Sequence, residues 1–355
     1  MNWLKTPLTE RLPIRFPIIQ APMAGGITTP ELVAAVSNAG GLGSLAAGYL
    51  EPEEIRATIA AIRAFSDNPF AVNLFAPTPI RANLEQIEFS QLALEPCRQE
   101  LGLPTPSLPT SYRPDFKEQL AVILEAQVDV LSFTFGVPGN EDLQALQAAG
   151  IVTMGTATNL LEAIVLEESG IDMIIAQGAE AGGHRGTFVG QPEQSLIGTV
   201  ALVPLLADHI RLPIIAAGGI MDGRGIAAAL ILGAAGVQMG TAFLTCPESG
   251  AHPSYKRMVS AGTEIGTTLT RAFSGRLART LKNRFSRELQ PYEADLPGYP
   301  VQLALTHDIR QAAAQQDRAE FMPLWAGQGC SSCEAKPAKE LLEEWLKKVK
   351  EIFDG

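Results

Sequence analysis

No run of about 18 apolar residues occurs in this chain of 355 residues, so no stretch is written as a transmembrane helix. The opening Met1-Asn2-Trp3-Leu4-Lys5-Thr6-Pro7 lacks the apolar h-region of a signal peptide, and we expect a cytoplasmic protein. Basic residues are outnumbered, 27 Lys and Arg against 38 Asp and Glu, giving a formal net charge of −11. That balance speaks against nucleic acid and membrane surfaces as partners, while leaving room for a local basic pocket. Cysteine is scarce, with Cys97 and Cys246 isolated and Cys330 and Cys333 forming one C-x-x-C. A zinc site needs about four ligands, and no histidine or further cysteine flanks that pair, so no metal is expected. Only 18% of residues are charged while 46% are apolar, which fits a compact enzyme with much buried surface.

What is present is a rhythm. Short apolar runs occupy 17–23, 41–47, 70–75, 128–135, 151–155, 173–177, 213–217 and 236–240. Helical patterns fill most gaps, at 30–39, 52–65, 141–149, 159–169, 196–209 and 223–232. Strands alternating with helices imply βαβ units and a parallel sheet. Eight such units predict an α/β fold of the (β/α)8 TIM-barrel type; a doubly wound sheet more often has five to seven strands. Residues 77–127 are too long for one βα loop and read as an insertion after strand three, with one or two helices near the mouth. Residues 262–355 carry helical patterns at 276–289, 306–317 and 337–352. They read as a C-terminal extension capping the mouth of a barrel formed by residues 1–261.

In such a barrel the chemistry lies at the C-terminal ends of the strands. Met23, Asn73, Gln177, Gly182, Gly183, His184, Gly218, Gly219, Gln238, Gly240 and Thr241 all fall there. Ala216-Ala217-Gly218-Gly219 and Gln238-Met239-Gly240-Thr241 are glycine turns after strands seven and eight, where barrels commonly cradle a phosphate. Asn73 and Gln177 either present amides to the edge of a flat heterocycle or cap a loop backbone. Gly41-x-Gly43 is no dinucleotide fingerprint, because a helix precedes it and a strand follows.

Of the four histidines, His184 stands in Glu180-Ala181-Gly182-Gly183-His184-Arg185-Gly186, a glycine-rich loop that reads as mobile. It is the expected catalytic group. His252 is a weaker second candidate, His209 falls on the opposite face, and His307 reads as a surface or capping residue. Tyr255, Tyr299 and Lys282 are further candidates for the mouth.

The chain resembles the nitronate monooxygenase (2-nitropropane dioxygenase) family. The matching segments include Gln20-Ala21-Pro22-Met23-Ala24-Gly25, Glu180 to Gly186, Ala216 to Asp222 and Gln238 to Phe243. Thr270 to Arg276 and Leu324 to Gln328 match as well. The resemblance implies an FMN enzyme on a TIM barrel, with FMN contacted by Met23, Asn73, Gln177, Gly182, Gly183, Gly218, Gly219, Gln238, Met239, Gly240 and Thr241. It implies oxidation of alkyl nitronates, propionate 3-nitronate among them, with O2 to carbonyl compounds and nitrite. His184 would face the nitronate as a cation or hydrogen-bonding group, or take the Cα proton of a neutral nitroalkane. NAD(P)H-dependent flavin reductases, acting on quinones or enoyl-acyl-carrier-protein, share the Ala-Gly-Gly-His core and are the alternative. The two tail segments favour the nitronate group.

Overall fold

A computed structural model describes residues 3–81, 83–109 and 111–355. The strands in chain order are β1 (Ile18–Gln20), β2 (Gly43–Ala46), β3 (Phe70–Phe75), β4 (Val130–Thr134), β5 (Val152–Ala157), β6 (Met173–Gln177), β7 (Gly183–His184), β8 (Ile214–Ala217), β9 (Gly236–Met239), β10 (Thr267–Thr270) and β11 (Ala278–Leu281). The helices are α1 (Pro7–Arg11), α2 (Pro30–Ala39), α3 (Pro52–Phe65), α4 (Leu84–Leu101), α5 (Phe116–Ala126), α6 (Asn140–Ala148), α7 (Leu160–Glu168), α8 (Thr199–His209), α9 (Gly223–Ile231), α10 (Pro253–Ser260), α11 (Arg284–Leu289), α12 (Val301–Leu305), α13 (His307–Gln315) and α14 (Ala338–Asp354).

Eight strands form one parallel sheet in the order β1-β9-β8-β6-β5-β4-β3-β2. Its two ends meet, because Gln20 N–H donates to the Leu42 carbonyl and Leu42 N–H donates to the Ile18 carbonyl, each at 2.9 Å. The strands are buried on both faces, as a barrel wrapped in helices requires. Alternation along each strand sorts the side chains. Ile19, Ala71, Val130, Met154, Ile175 and Ile215 fill the interior together with Leu8 and Leu12, which come from α1 and the residue that follows it. Ile18, Val72, Leu131, Ile174, Ile214 and Val237 face the helices. The interior is packed, and the opening left is at the C-terminal end of the strands.

Local chemistry explains the helix ends. Thr29 caps α2 by accepting from Leu32 N–H, Pro30 opens its first turn, and Gly40 ends it in the left-handed region at φ 99°. Asp222 caps α9 by accepting from the N–H groups of Arg224 and Gly225. That cap fixes where the chain turns after β8.

The tail divides into parts. Over 276–289 the local pattern predicts a helix, but the structure has β11 followed by α11. The strand forms because Ala278 and Arg279 pair with β7 while β10 pairs along its other edge, a long-range ladder that outweighs local preference. Helix α14 does not lie over the mouth. Its Leu341, Leu342, Trp345 and Val349 recur on one face and join the helix-facing barrel core. It packs against α9 and α2, so it serves as the eighth helix of the outer ring. The chain therefore leaves the barrel after β9 and returns to it at α14. Between them, residues 244–330 and α4 of the insertion build a second core with Leu94, Tyr255, Phe273, Phe285 and Phe321. Helix α5 packs against α3 as the ordinary barrel helix after β3. Among the described residues no helix is long and apolar enough to cross a membrane.

Candidate active site

The mouth holds a cavity of about 770 Å³, walled by strand ends below and by the second core above. Met23, Asn73, Gln177, Gly182, Gly183, His184, Gly218, Gly219, Gln238, Met239, Gly240 and Thr241 all line it. The fold therefore brings these twelve strand-end residues together, but it does not use them alike.

At one end lie the two glycine turns. Gly218 and Gly219 have φ of 109° and 73°, a conformation open to glycine at little cost. The backbone N–H groups of Gly219, Gly240 and Thr241 have no protein acceptor among the described residues. The Thr241 hydroxyl accepts from Gly327 N–H at 2.9 Å, leaving its own proton to donate. Unpaired backbone donors facing a cavity form an anion cradle, and one phosphate fits their chemistry. The Gln238 amide, which also lines the cavity, has no protein partner among the described residues. Met239, one residue on, points the other way into the helix-facing core and offers the cavity little beyond its backbone.

The two strand-end amides diverge. Asn73 Nδ2 donates to the Ser132 hydroxyl at 2.9 Å, while its Oδ1 has no protein donor among the described residues and remains available to a heterocycle. Gln177 is largely committed. Its Nε2 donates to the His184 carbonyl at 3.0 Å and its Oε1 accepts from Gly186 N–H at 2.8 Å. It caps the loop backbone and so sets the height of His184.

His184 does not stand on a free loop. β7 pairs with β11, with His184 opposite Ala278. Its Nε2 lies 2.8 Å from the Ser274 hydroxyl. Phe135, Tyr299 and Trp325 surround the imidazole at ring-centroid distances of 5.8, 6.0 and 5.3 Å. Ser274, Arg276 and Trp325 all come from the two tail segments Thr270–Arg276 and Leu324–Gln328. Those segments are therefore the fittings that hold the imidazole. The Trp325 segment also closes onto the loop after β6, where Gln328 N–H donates to the Glu180 carbonyl at 3.0 Å.

The electrostatics are one-sided. Among the described residues no carboxylate lines the cavity. Arg310 lines it, and Arg276 stands behind Phe135 with its guanidinium carbon 3.8 Å from the ring centroid. Neither arginine makes a salt bridge among the described residues. The pKa of His184 is held down to about 3, first by burial and then by the positive charges of Arg276 and Arg310. Burial and the two arginines thus favour the neutral imidazole at ordinary pH in the free protein.

The folded protein binds this proton less tightly than the unfolded chain, whose imidazole has the ordinary value of 6.5. His184 should therefore contribute stability that is full above 6.5 and is lost as pH falls from there toward 3. A Tm series over that range should slope less in His184→Gln than in the parent; identical slopes would contradict this burial.

The other histidines separate cleanly. His209 ends α8 with Nδ1 bonded to the Leu205 carbonyl at 2.9 Å, on the far face. His252 caps α10 by accepting from Ser254 N–H at 3.3 Å, and reaches the cavity rim. His307 is exposed, as expected, but it also borders the cavity. Of the other mouth candidates, Tyr255 lines the cavity and donates its hydroxyl to the Trp325 carbonyl. Lys282 points outward to the Ile265 carbonyl. Tyr49, Phe135 and Arg310 were not foreseen. Phe135 alone carried a signal, since it immediately follows a strand; its backbone lies at φ 78°.

Comparison with known proteins agrees with this geometry. The nitronate monooxygenase family model matches residues 5–348. A probable nitronate monooxygenase of Staphylococcus aureus (strain Newman) is 44% identical over 352 residues, covering 99% of each chain. One from Staphylococcus haemolyticus is 43% identical over 353 residues, again covering 99% of each. Among solved structures, a nitroalkane oxidase from Streptomyces ansochromogenes superposes with a TM-score of 0.91 at 42% identity, over 98% of this chain and 99% of that one. FabK from Thermotoga maritima superposes at 0.78 with 31% identity, over 99% and 97%. The chain belongs to the nitronate monooxygenase family, flavin-dependent oxidoreductases of nitro compounds built on a TIM barrel.

Proposed function

We propose that this enzyme binds FMN and oxidises alkyl nitronates with O2 to carbonyl compounds and nitrite, propionate 3-nitronate among the substrates. The observation that carries the reading is the charge of the cavity. In a chain of net charge −11, the site has Arg310 in its wall, Arg276 behind it and, among the described residues, no carboxylate. Such a site favours an anion over a neutral molecule of the same shape. A nitronate is that anion; its parent nitroalkane is neutral.

FMN is supported by the cradle of Gly219, Gly240 and Thr241, whose unpaired donors suit a single terminal phosphate, with Asn73 Oδ1 and the Gln238 amide left to meet a ring edge. The bound flavin supplies the electron-transfer chemistry. The chain's own residues bind and orient. Gln177 and β11 hold His184 in place, Ser274 fixes its ring, and Phe135, Tyr299 and Trp325 keep water from the imidazole. A neutral imidazole beside the nitronate can donate one hydrogen bond to it, and an anion bound there draws the pKa of His184 back upward.

The test is spectral. Under anaerobic conditions a nitronate should bleach the flavin within the mixing time of turnover, and NADH should not. Bleaching by NADH with no response to nitronates would transfer the protein to the reductase chemistry of the alternative. The mass of the cofactor released on denaturation identifies FMN.

A further inference from the structure

We propose that the Tyr49 hydroxyl and the Arg310 guanidinium form a second anion subsite, which selects nitronates carrying a carboxylate at the end remote from the reacting carbon. The proposal rests on the nitronate reading above and adds a residue-level determinant of substrate choice. Tyr49 lies in the loop after β2 and lines the cavity. Its hydroxyl is buried and, among the described residues, meets no partner at full hydrogen-bond distance and angle; the Tyr299 phenol beside it interacts with it only weakly. A buried hydroxyl left unpaired destabilises the fold, and phenylalanine would fill the same space without that cost. A polar group of this kind is accounted for when a ligand meets it.

Arg310 faces the same space from α13. Its Nε donates to the Thr306 hydroxyl at 3.2 Å and its Nη2 to the Leu303 carbonyl at 2.9 Å. These two bonds fix the plane of the guanidinium. Nη1 has no protein acceptor, and no carboxylate lies within ion-pairing distance, among the described residues. Tyr49 and Arg310 are electrostatic neighbours: burial lifts the phenol to about 12, and Arg310 is the largest influence opposing that rise. The phenol therefore stays protonated and donates. A rigid, unpaired guanidinium with a phenolic donor beside it matches a planar carboxylate.

The subsite is placed for the substrate's far end. Tyr49 packs edge-on against Phe75 at 5.0 Å, Phe75 stacks on Phe135 at 4.7 Å, and Phe135 abuts His184. An apolar partition of rings thus lies between the reacting position and Tyr49. It suits a short carbon chain with a charge at each end. The phosphate cradle is elsewhere, on the turns after β8 and β9, so the flavin's own phosphate is not the missing anion.

Two substrates with the same reacting end separate the proposal from its alternatives: propionate 3-nitronate, and propyl-1-nitronate, which lacks the carboxylate. In Arg310→Met, kcat/KM for propionate 3-nitronate should fall about a hundredfold, as expected for lost charge-assisted hydrogen bonds. For propyl-1-nitronate, which loses only the general attraction of the Arg310 charge, the fall should be about tenfold or less, so the two substrates separate by at least about tenfold. Arg310→Lys should recover part of the difference. Tyr49→Phe should lower kcat/KM for the first substrate about tenfold, with Tm changed by little, because the hydroxyl removed makes no full hydrogen bond in the free protein. Calorimetry with succinate, a dianion of the same length with a carboxylate in place of the nitronate, gives a reading without turnover on the flavin-loaded enzyme, and its Kd should weaken in both variants. Equal losses on the two nitronates, or a Kd unchanged in both variants, would overturn the subsite. Should the parent enzyme oxidise neither nitronate, the functional reading fails, and the calorimetric comparison still decides the subsite.

Discussion

Exchanging His184 for asparagine should lower kcat/KM for neutral nitroalkanes by about 10²- to 10⁴-fold, the usual span for loss of a general base. Pre-formed nitronates should lose only about tenfold, in line with one hydrogen bond. In the tautomer whose Nε2–H donates to the Ser274 hydroxyl, Nδ1 carries a free lone pair and can accept the Cα proton; in the other tautomer Nδ1–H donates to a bound nitronate. Accepting it creates an imidazolium in the field of Arg276 and Arg310, the same field that holds the pKa down to about 3. The nitronate formed in that step partly offsets the cost, because its negative charge lies against the new cation. Two consequences follow from this balance. The parent enzyme should favour nitronates over nitroalkanes, and the substitution should widen that preference, since a nitronate has no Cα proton to remove. Oxygen consumption with nitroethane and with ethylnitronate measures both. Equal losses on the two substrates would make His184 a positioning residue only.

Replacing Gly219 by valine should strip the enzyme of its flavin, with affinity falling on the order of 10²-fold as donors to the phosphate are displaced. Gly219 lies at φ 73°, and a Cβ there would come within 3.2 Å of the Glu180 side chain. Glu180 cannot give way freely. Its carboxylate accepts from Thr199 N–H at 3.0 and 2.9 Å and from the Thr199 hydroxyl at 2.9 Å, which ties the loop to the start of α8. The turn must therefore shift into the cradle. Gly102→Ala is the control: that residue has φ 71°, no atom within 4 Å of an added Cβ, and no part in the cavity. It should cost about 1–2 kcal/mol through its left-handed backbone, with flavin retained. The ratio of flavin to protein absorbance, with circular dichroism to confirm folding, reads the difference. Full flavin occupancy in Gly219→Val would place the phosphate elsewhere.

The barrel was legible because its signals are local. Ile18–Gln20, Met173–Gln177 and Ile214–Ala217 are short apolar runs bounded by turn residues, and Pro30, Gly40 and Asp222 punctuate the helices between them. The two glycine turns at the cavity were legible for the same reason: a glycine turn directly after a strand can be read within a few residues. Asn73 and Gln177 show where such reading stops. Both are amides at strand ends, yet Gln177 is largely taken up by the backbone of His184 and Gly186, while Asn73 keeps its oxygen free. Nothing within either segment distinguishes them.

The sequence by itself determined the eightfold βα order, the face that carries the chemistry, and the residues at the strand ends. These depend on hydrophobic periodicity and turn chemistry over short windows. Only the tertiary structure decided how His184 is charged and held. Ser274 is 90 positions away along the chain and Arg276 two further on, while Arg310 and Tyr49 come from still other elements. A pKa is set by burial and by charges in space, and so is the match between a guanidinium and a substrate. The strand that carries Ala278 and Arg279 forms only when the loop after β6 is there to pair with it. The same argument returns α14 to the barrel: its amphipathic face was visible in the sequence, but not which surface would cover it.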